Sequence, residues 1–150
     1  MTADNDLINL YSTRILALAS DIPHTDRLAS PDATVKRRAP LCGSTVTVDL
    51  CVNDGEITAY GQDVKACALG QAAASVVSAN IIGRNRQEIE RARDQLRDML
   101  KNDGPAPSAP FDELEVLRPA QNFRNRHASI LLALEASLEA MTLAENASCA

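Results

Sequence analysis

The chain has 150 residues, of which 45% are hydrophobic and 23% are charged, and its formal net charge at pH 7 is -5. This length suits one domain with one core, residues 1–150, and the excess of acidic residues argues against a nucleic-acid partner. No segment approaches the roughly 18 continuous apolar residues of a membrane span, so we expect a cytoplasmic protein with no membrane partner.

The first segment has the apolar spacing of a helix. Five apolar residues recur every three or four positions between residues 6 and 19, namely Ile8, Tyr11, Ile15, Leu18 and Ala19, which predicts an N-terminal helix. The following stretch, DIPHTDRLASPD, contains two prolines and several turn-forming residues. We expect an irregular connection as far as Asp32.

Three strands follow. Residues 45–52, TVTVDLCV, alternate strictly, with valine and leucine on one face and Thr, Asp and Cys on the other, which is typical of a half-buried strand. Asn53-Asp54-Gly55 predicts a hairpin turn into EITAYGQDV, and the earlier run ATVKRR is a candidate third strand. A small three-stranded antiparallel sheet with one apolar face needs helices to cover it.

Helical spacing returns after the strands. It predicts an alanine-rich helix over residues 69–81 that ends at Gly83, a charged amphipathic helix over 84–101, and a last helix over 125–143. Residues 105–110, PAPSAP, are expected to link elements rather than domains. Residues 144–150 are expected to form a frayed, flexible tail.

The four cysteines are candidates for chemistry. In a reducing compartment they are expected to be thiols, and no two have the C-x-x-C spacing of a zinc ribbon. Cys67 begins a predicted helix, where the unpaired amides stabilise a thiolate, and Cys42 lies between a proline and a glycine in APLCGS. For each, a buried structural cysteine is the alternative. Cys51 is expected to be structural, and Cys149 is expected to be an exposed thiol in the tail.

The order of these features resembles the U-type iron–sulfur cluster scaffold family, which includes IscU, SufU and the NifU N-terminal domain. The motifs that carry the resemblance are APLCGS, ACALGQAAAS and the RHASIL that heads the last helix, and it extends from about residue 10 to residue 136. It implies a SufE/NifU-like α+β fold, with the sheet covered by an N-terminal helix and three or more later helices. It also implies a non-enzymatic protein in which three cysteines and an aspartate hold a nascent [2Fe–2S] cluster or a zinc ion.

The resemblance makes Cys42 the first cysteine and Cys67 the second. The family's aspartate is Ser44 here, and its third cysteine is Ala128. His127, beside the vacant position, is a candidate third ligand because a neutral imidazole binds iron or zinc. The alternative for His127 is an ordinary helix-terminus histidine that faces the core leucines.

Two further residues complete the candidate metal ligands. Asp63 precedes Cys67 by four positions and is a possible additional ligand, with a solvated strand-end carboxylate as the alternative. Ser44 is the other possible additional ligand, although a neutral hydroxyl is a poor replacement for a carboxylate.

These residues give three functional hypotheses. The first is an iron–sulfur cluster assembly scaffold that binds iron, a [2Fe–2S] cluster or zinc through an incomplete thiolate site, completed by a second copy of the chain or an exogenous thiol. The resemblance implies a cysteine desulfurase and recipient apoproteins as partners. The second is a persulfide acceptor that takes sulfur from a desulfurase on Cys67 or Cys42. The third is an interaction protein that holds no metal.

Overall fold

The computed structural model describes residues 12–40 and 43–148. Cys42, Cys149 and the predicted helical residues before Ser12 lie outside the described residues. The α-helices and strands, in chain order, are α1 (Thr13–Ser20), β1 (Ala33–Arg38), β2 (Thr45–Asn53), β3 (Glu56–Lys65), α2 (Ala68–Asn80), α3 (Arg86–Asn102) and α4 (His127–Ser148). Two 3₁₀ helices, Asp112–Asn122 and Arg124–Arg126, lie between α3 and α4.

The sheet confirms the predicted α+β fold. It has the strand order β1-β2-β3 with both pairs antiparallel. The hairpin turn forms because Asp54 and Gly55 both take positive φ angles, of 54° and 78°, and two such residues match the twist of the flanking strands. In the β2–β3 register, Thr45 is opposite Lys65 at one end and Asn53 is opposite Glu56 at the other.

The inner face of the sheet packs against helices. Val46, Val48 and Leu50 are at most 1% exposed, and α4 lies against β1 and β2. Tyr60 of β3 is also buried, and its hydroxyl lies 2.9 Å from the Ser137 hydroxyl on α4. Burial raises the pKa of Tyr60 well above its ordinary value. The strict alternation of β2 is therefore the pattern of a strand buried on this face.

Part of the outer face is also covered. The Asp49 side chain is fully buried there, although it was predicted on the polar face. Its carboxylate accepts hydrogen bonds from Arg27 Nε at 2.6 Å and Nη2 at 2.9 Å, from Thr34 Oγ1 at 2.7 Å and from the Leu28 amide at 3.1 Å. Segment 21–32 therefore packs over the sheet around Asp49. A Cβ at Gly61 would lie 2.5 Å from the Asp26 carbonyl oxygen, so only glycine permits this close approach.

The helices after the sheet match their predictions, with small differences at the ends. α2 ends at Asn80, before Gly83, which has φ of +90°. α3 begins with a capping box, in which the Glu88 amide donates to Asn85 Oδ1 and the Asn85 amide donates to Glu88 Oε1. At its end, Asp103 rather than Gly104 takes the left-handed conformation, with φ of 55°.

The last helix is longer than predicted. The tail expected from residue 144 is helical as far as Ser148. Ala144 is fully buried, and Glu145 Oε2 lies 3.0 Å from Arg86 Nη2, so tertiary contacts support this part of the helix. By length and composition, Arg124–Asn146 could also cross a membrane, but 72% of that window is buried inside the protein, as in a core helix.

The 3₁₀ helix Asp112–Asn122 was not predicted. Its buried residues Leu114, Leu117 and Ala120, with Phe111 before it, recur every three positions. This is the period of a 3₁₀ helix, in which residues i and i+3 share one side. The segment therefore adds four buried side chains to the core beside α2 and α3.

Candidate functional site

Three parts of the chain meet at one end of the sheet. Ser44 immediately precedes β2, Cys67 follows β3 by two residues and is the N-cap of α2, and Ser129 lies in the first turn of α4. Because β2 and β3 are antiparallel, the start of one and the end of the other lie side by side. The fold thus brings together residues separated by up to 85 positions in sequence.

A chain of three polar groups connects these segments. Cys67 Sγ lies 3.7 Å from Ser129 Oγ, and the Ser129 hydroxyl donates to Ser44 Oγ at 2.9 Å. Ser129 is 2% exposed and Ser44 is 4% exposed, whereas Cys67 is partly exposed. The Cys67 thiol therefore contacts one buried neutral hydroxyl, which is bonded to a second, and the residue is partly exposed.

Gly70 allows α2 and α4 to approach closely at this point. A Cβ at Gly70 would lie 2.4 Å from Ser129 Oγ and 2.9 Å from the Ala66 Cβ. A distance under 3.0 Å requires something to move. The Ser129 hydroxyl consequently occupies space that any larger residue at position 70 would need.

The backbone around Cys67 is ordered by its helix, but its side chain does not serve as a cap. The residue has the extended φ of -66° and ψ of 169° that is usual for an N-cap, with no side-chain capping bond. The Gln71 amide donates to the Cys67 carbonyl oxygen at 2.9 Å, and Gln71 Nε2 donates to the Ala66 carbonyl oxygen at 2.8 Å. The sulfur is left available to a ligand or a reactant.

His127 is the first residue of α4 and is 6% exposed. Its Nε2 lies 3.0 Å from the Ala120 carbonyl oxygen, and since a carbonyl only accepts, Nε2 carries a proton. Only Nδ1 is therefore open to a metal. His127 lies along a groove of about 540 Å³ with Arg124, Ala128 and Leu131, and Cys67 is not among the described residues that line this groove.

Asp63 lies on the outer face of the sheet. It is opposite Thr47, whereas the inner-face residue Val46 is opposite Val64. Its side chain is 48% exposed and its carboxylate is 3.9 Å from Lys65 Nζ. This is the arrangement of a solvated strand-end carboxylate, and its role as a ligand remains a prediction.

The described residues do not complete a metal site by themselves. They contain no group of three or more His, Cys, Asp or Glu side chains that could hold a metal ion. At the site they supply one thiol and two hydroxyls, which is a poor donor set for iron or zinc because both prefer thiolate, imidazole or carboxylate. Cys51 does not belong to this cluster. It lies within β2, and its Sγ is 3.6 Å from the Ser30 carbonyl oxygen.

Sequence reasoning did not identify Ser129 or Gly70 as site residues. The available signals were their positions, since Ser129 directly follows the vacant ligand position Ala128 and Gly70 lies three residues after Cys67. Their contact depends on how α2 packs against α4.

Comparison with solved structures identifies the family. The chain is 40% identical to a nitrogen-fixing NifU-like protein (N-terminal) from Brucella abortus, over 94% of this chain and 98% of that one, with a TM-score of 0.91. This chain belongs to the U-type iron–sulfur cluster scaffold family. The family predicted from the sequence is thereby confirmed.

A more distant structure shares the fold of the family. It is described as an iron–sulfur cluster assembly scaffold protein for the SUF system, from Fervidobacterium islandicum. Its TM-score is 0.79 at 18% identity, over 89% of this chain and 98% of that one. No family model matches the sequence, and the curated proteins give no significant match.

Proposed function

We propose that this chain is an iron–sulfur cluster assembly scaffold that binds iron or a nascent [2Fe–2S] cluster through Cys67 and Cys42. Zinc is the alternative ion. The observation that carries the proposal is the placement of Cys67, partly exposed where three segments meet, in a chain that is 40% identical to a NifU-like protein. The proposal assigns no catalytic residue, and it takes the protein to be cytoplasmic.

The position of Cys42 in the sequence supports its part in the proposal. Only Gly43 separates it from Ser44, whose hydroxyl contacts Ser129. The Gly43 amide donates to the Ala39 carbonyl oxygen at 2.9 Å, and the Ala39 amide donates to the Ser44 carbonyl oxygen at 2.8 Å. These two bonds hold Ala39 close to Gly43 and Ser44 beside the site, and Cys42 directly precedes Gly43 in the sequence.

A [2Fe–2S] cluster would need ligands in addition to the Cys67 and Cys42 thiolates. A [2Fe–2S] cluster takes four protein ligands, usually cysteine thiolates. Ala128 offers none, and the hydroxyls of Ser44 and Ser129 are neutral. A second copy of the chain or an exogenous thiol would supply the other two, with His127 Nδ1 and Asp63 as further candidates within the chain.

Metal analysis after anaerobic reconstitution with iron and sulfide tests the scaffold role. We expect wild-type protein to retain iron and sulfide after desalting, and Ala128→Cys to retain them more tightly because it restores a thiolate at the family's position. Freshly purified protein is analysed for zinc in parallel. If Ala128→Cys binds iron or zinc and wild type binds neither, this chain is not a metal-binding scaffold.

A second candidate function is that of a sulfur acceptor. It is favoured by the surroundings of the partly exposed Cys67, whose sulfur contacts a neutral hydroxyl and belongs to no group of three or more potential metal ligands among the described residues. The Cys67 thiolate would attack the outer sulfur of a persulfide on a cysteine desulfurase. The new S–S bond forms as the old one breaks, and the desulfurase leaves as a thiolate. Recipient apoproteins would then accept the sulfur or the cluster.

Persulfide trapping separates these functions. After incubation with a cysteine desulfurase and free cysteine, a sulfur acceptor would carry a trapped persulfide on Cys67. Equal labelling of Cys51 or Cys149 would indicate nonspecific thiol reactivity. A protein that gains neither iron nor persulfide would fit the third hypothesis, an interaction protein that holds no metal.

A further inference from the structure

The outer face of the sheet is uncovered at the end that carries the site. Segment 21–32 packs over the row in which Thr34, Asp49 and Gly61 are opposite one another. Two further rows lie between that row and Cys67, and because residues directly opposite in a sheet point to the same face, their side chains project outward together. We call these six residues the basic patch: Lys36, Thr47 and Asp63 in one row, and Arg38, Thr45 and Lys65 in the next.

The basic patch carries unbalanced positive charge. Lys36 and Arg38 are exposed, and neither makes an ion pair with any of the described residues. Lys65 is 75% exposed, and its one ion pair among the described residues is with the Asp63 carboxylate, at the long distance of 3.9 Å. The basic patch thus contains three cations and one carboxylate, although the net charge of the whole protein is -5.

The basic patch is continuous with the candidate site. Thr45 directly follows Ser44, and Lys65 precedes Cys67 by two residues. The Arg38 guanidinium also reaches over the turn before β2, because its Nη2 lies 3.8 Å from where a Cβ would stand on Gly43. A molecule held on the patch would therefore end at the edge of the sheet where Ser44 and Cys67 lie.

We propose that the basic patch docks an acidic, extended segment of a partner protein, which it holds alongside Cys67. Charge complementarity argues for this partner, since carboxylates would pair with cations that lack a close ion-pair partner among the described residues. Neighbouring strands lie about 4.8 Å apart, so Arg38 and Lys65 flank Thr45 at a spacing of roughly 10 Å. The Thr45 and Thr47 hydroxyls between them can donate hydrogen bonds to the same carboxylates.

A nucleic acid fits the basic patch less well. Single-stranded nucleic acids depend on aromatic side chains for base stacking, and none of the six patch residues is aromatic. An acidic peptide needs only the cations and hydroxyls that the patch provides.

Peptide binding to the apoprotein tests this proposal. The probe is fluorescein-labelled octaglutamate, and its affinity is measured by fluorescence anisotropy at low and at physiological ionic strength. The patch variant is Lys36→Gln/Arg38→Gln, and the matched control is Arg91→Gln/Lys101→Gln, which removes two exposed cations from α3. We expect about tenfold weaker binding by the patch variant, affinity within about twofold of wild type for the control, and weaker binding by all proteins as salt rises.

Three results would overturn the proposal. The first is a patch variant that is folded, as an unchanged unfolding midpoint shows, and that binds octaglutamate as tightly as wild type. The second is a control that loses as much affinity as the patch variant, which would mean that any surface cation contributes equally to peptide binding. The third is tighter binding to the patch by a single-stranded oligonucleotide of equal charge than by octaglutamate. The measurement needs neither iron nor persulfide, so its failure is distinct from failure of the proposed scaffold role.

Discussion

Gly70 controls the geometry around Cys67 although it is not a candidate ligand. Its missing side chain leaves room for Ser129, whose hydroxyl contacts the Cys67 sulfur on one side and Ser44 on the other. Glycine in the interior of a helix costs about 1 kcal/mol relative to alanine. Its presence in the first turn of α2 is explained by the close approach of α4.

We therefore predict that Gly70→Ala destabilises the protein despite its better helix propensity. The new Cβ would overlap Ser129 Oγ, and overpacking of this kind costs about 1–3 kcal/mol. Urea denaturation measures the change in free energy of unfolding. The penalty should be smaller in a Ser129→Ala background, which removes the overlapping oxygen. A more stable Gly70→Ala protein would show that the close approach is not present.

Only some residues of the candidate site could be predicted from the sequence. Cys67 could be placed at the start of a helix because its motif, ACALG, is local in sequence. The prediction of Cys42 from PLCGS rests on a local motif too, and it stays a prediction because Cys42 lies outside the described residues. The Cys67–Ser129 contact joins residues 62 positions apart, so no local pattern contains it. The Nε2 bond of His127 depends in the same way on an unpredicted 3₁₀ helix, which supplies the Ala120 carbonyl oxygen.

The buried Asp49 carboxylate is one of several attachments between segment 21–32 and the sheet, beside backbone bonds from the Gln62 amide to the His24 carbonyl oxygen and from the Asp32 amide to the Leu50 carbonyl oxygen. The hydrogen bond from Arg27 holds the pKa of Asp49 below its ordinary value of 3.8, with further help from Thr34 and the Leu28 amide and against the opposing effect of burial. Since the folded state binds this proton only at lower pH than the unfolded state, the stabilisation is complete above about pH 3.8 and is lost as the pH falls through the folded pKa.

We predict that Asp49→Asn lowers the free energy of unfolding at neutral pH by about 1–3 kcal/mol, because Arg27, Thr34 and the Leu28 amide lose the buried, charged acceptor that they share. The difference from wild type should shrink below pH 3.8, where the wild-type carboxyl also becomes protonated. Urea denaturation across this pH range measures both effects. Asp94→Asn, on an exposed part of α3, is the control and should change stability little. A difference that is constant with pH would contradict the assignment.

Elements with a regular local pattern were predictable, and those that depend on distant contacts were not. β2 alternates for eight residues, and that pattern is not compatible with a helix. The 3₁₀ helix Asp112–Asn122 has a three-residue apolar repeat that is interrupted by Pro119 and too short to be distinguished from a loop. The end of α4 depends on an ion pair between Arg86 and Glu145, which are 59 positions apart.

At the scale of the whole molecule, the ligand count leads to a prediction about assembly. If two thiolates from each chain hold one cluster, two chains must share it, so cluster loading should convert monomers into dimers. Sedimentation velocity of the reconstituted protein should show a species of twice the 16.1 kDa chain mass, which disappears when a chelator removes the iron. Ala128→Cys should shift the loaded protein toward monomer, because each chain then offers three thiolates. A cluster-loaded wild-type monomer would instead favour an exogenous thiol as the source of the missing ligands.

The amount of iron bound per chain after anaerobic reconstitution of Cys67→Ser, compared with wild type, tests the central claim most directly. Cys51→Ser is the matched control, since that thiol is also partly buried but lies within β2, away from Ser129. We predict that Cys67→Ser loses nearly all bound iron while Cys51→Ser retains the wild-type amount. Equal iron in Cys67→Ser and wild type would contradict it.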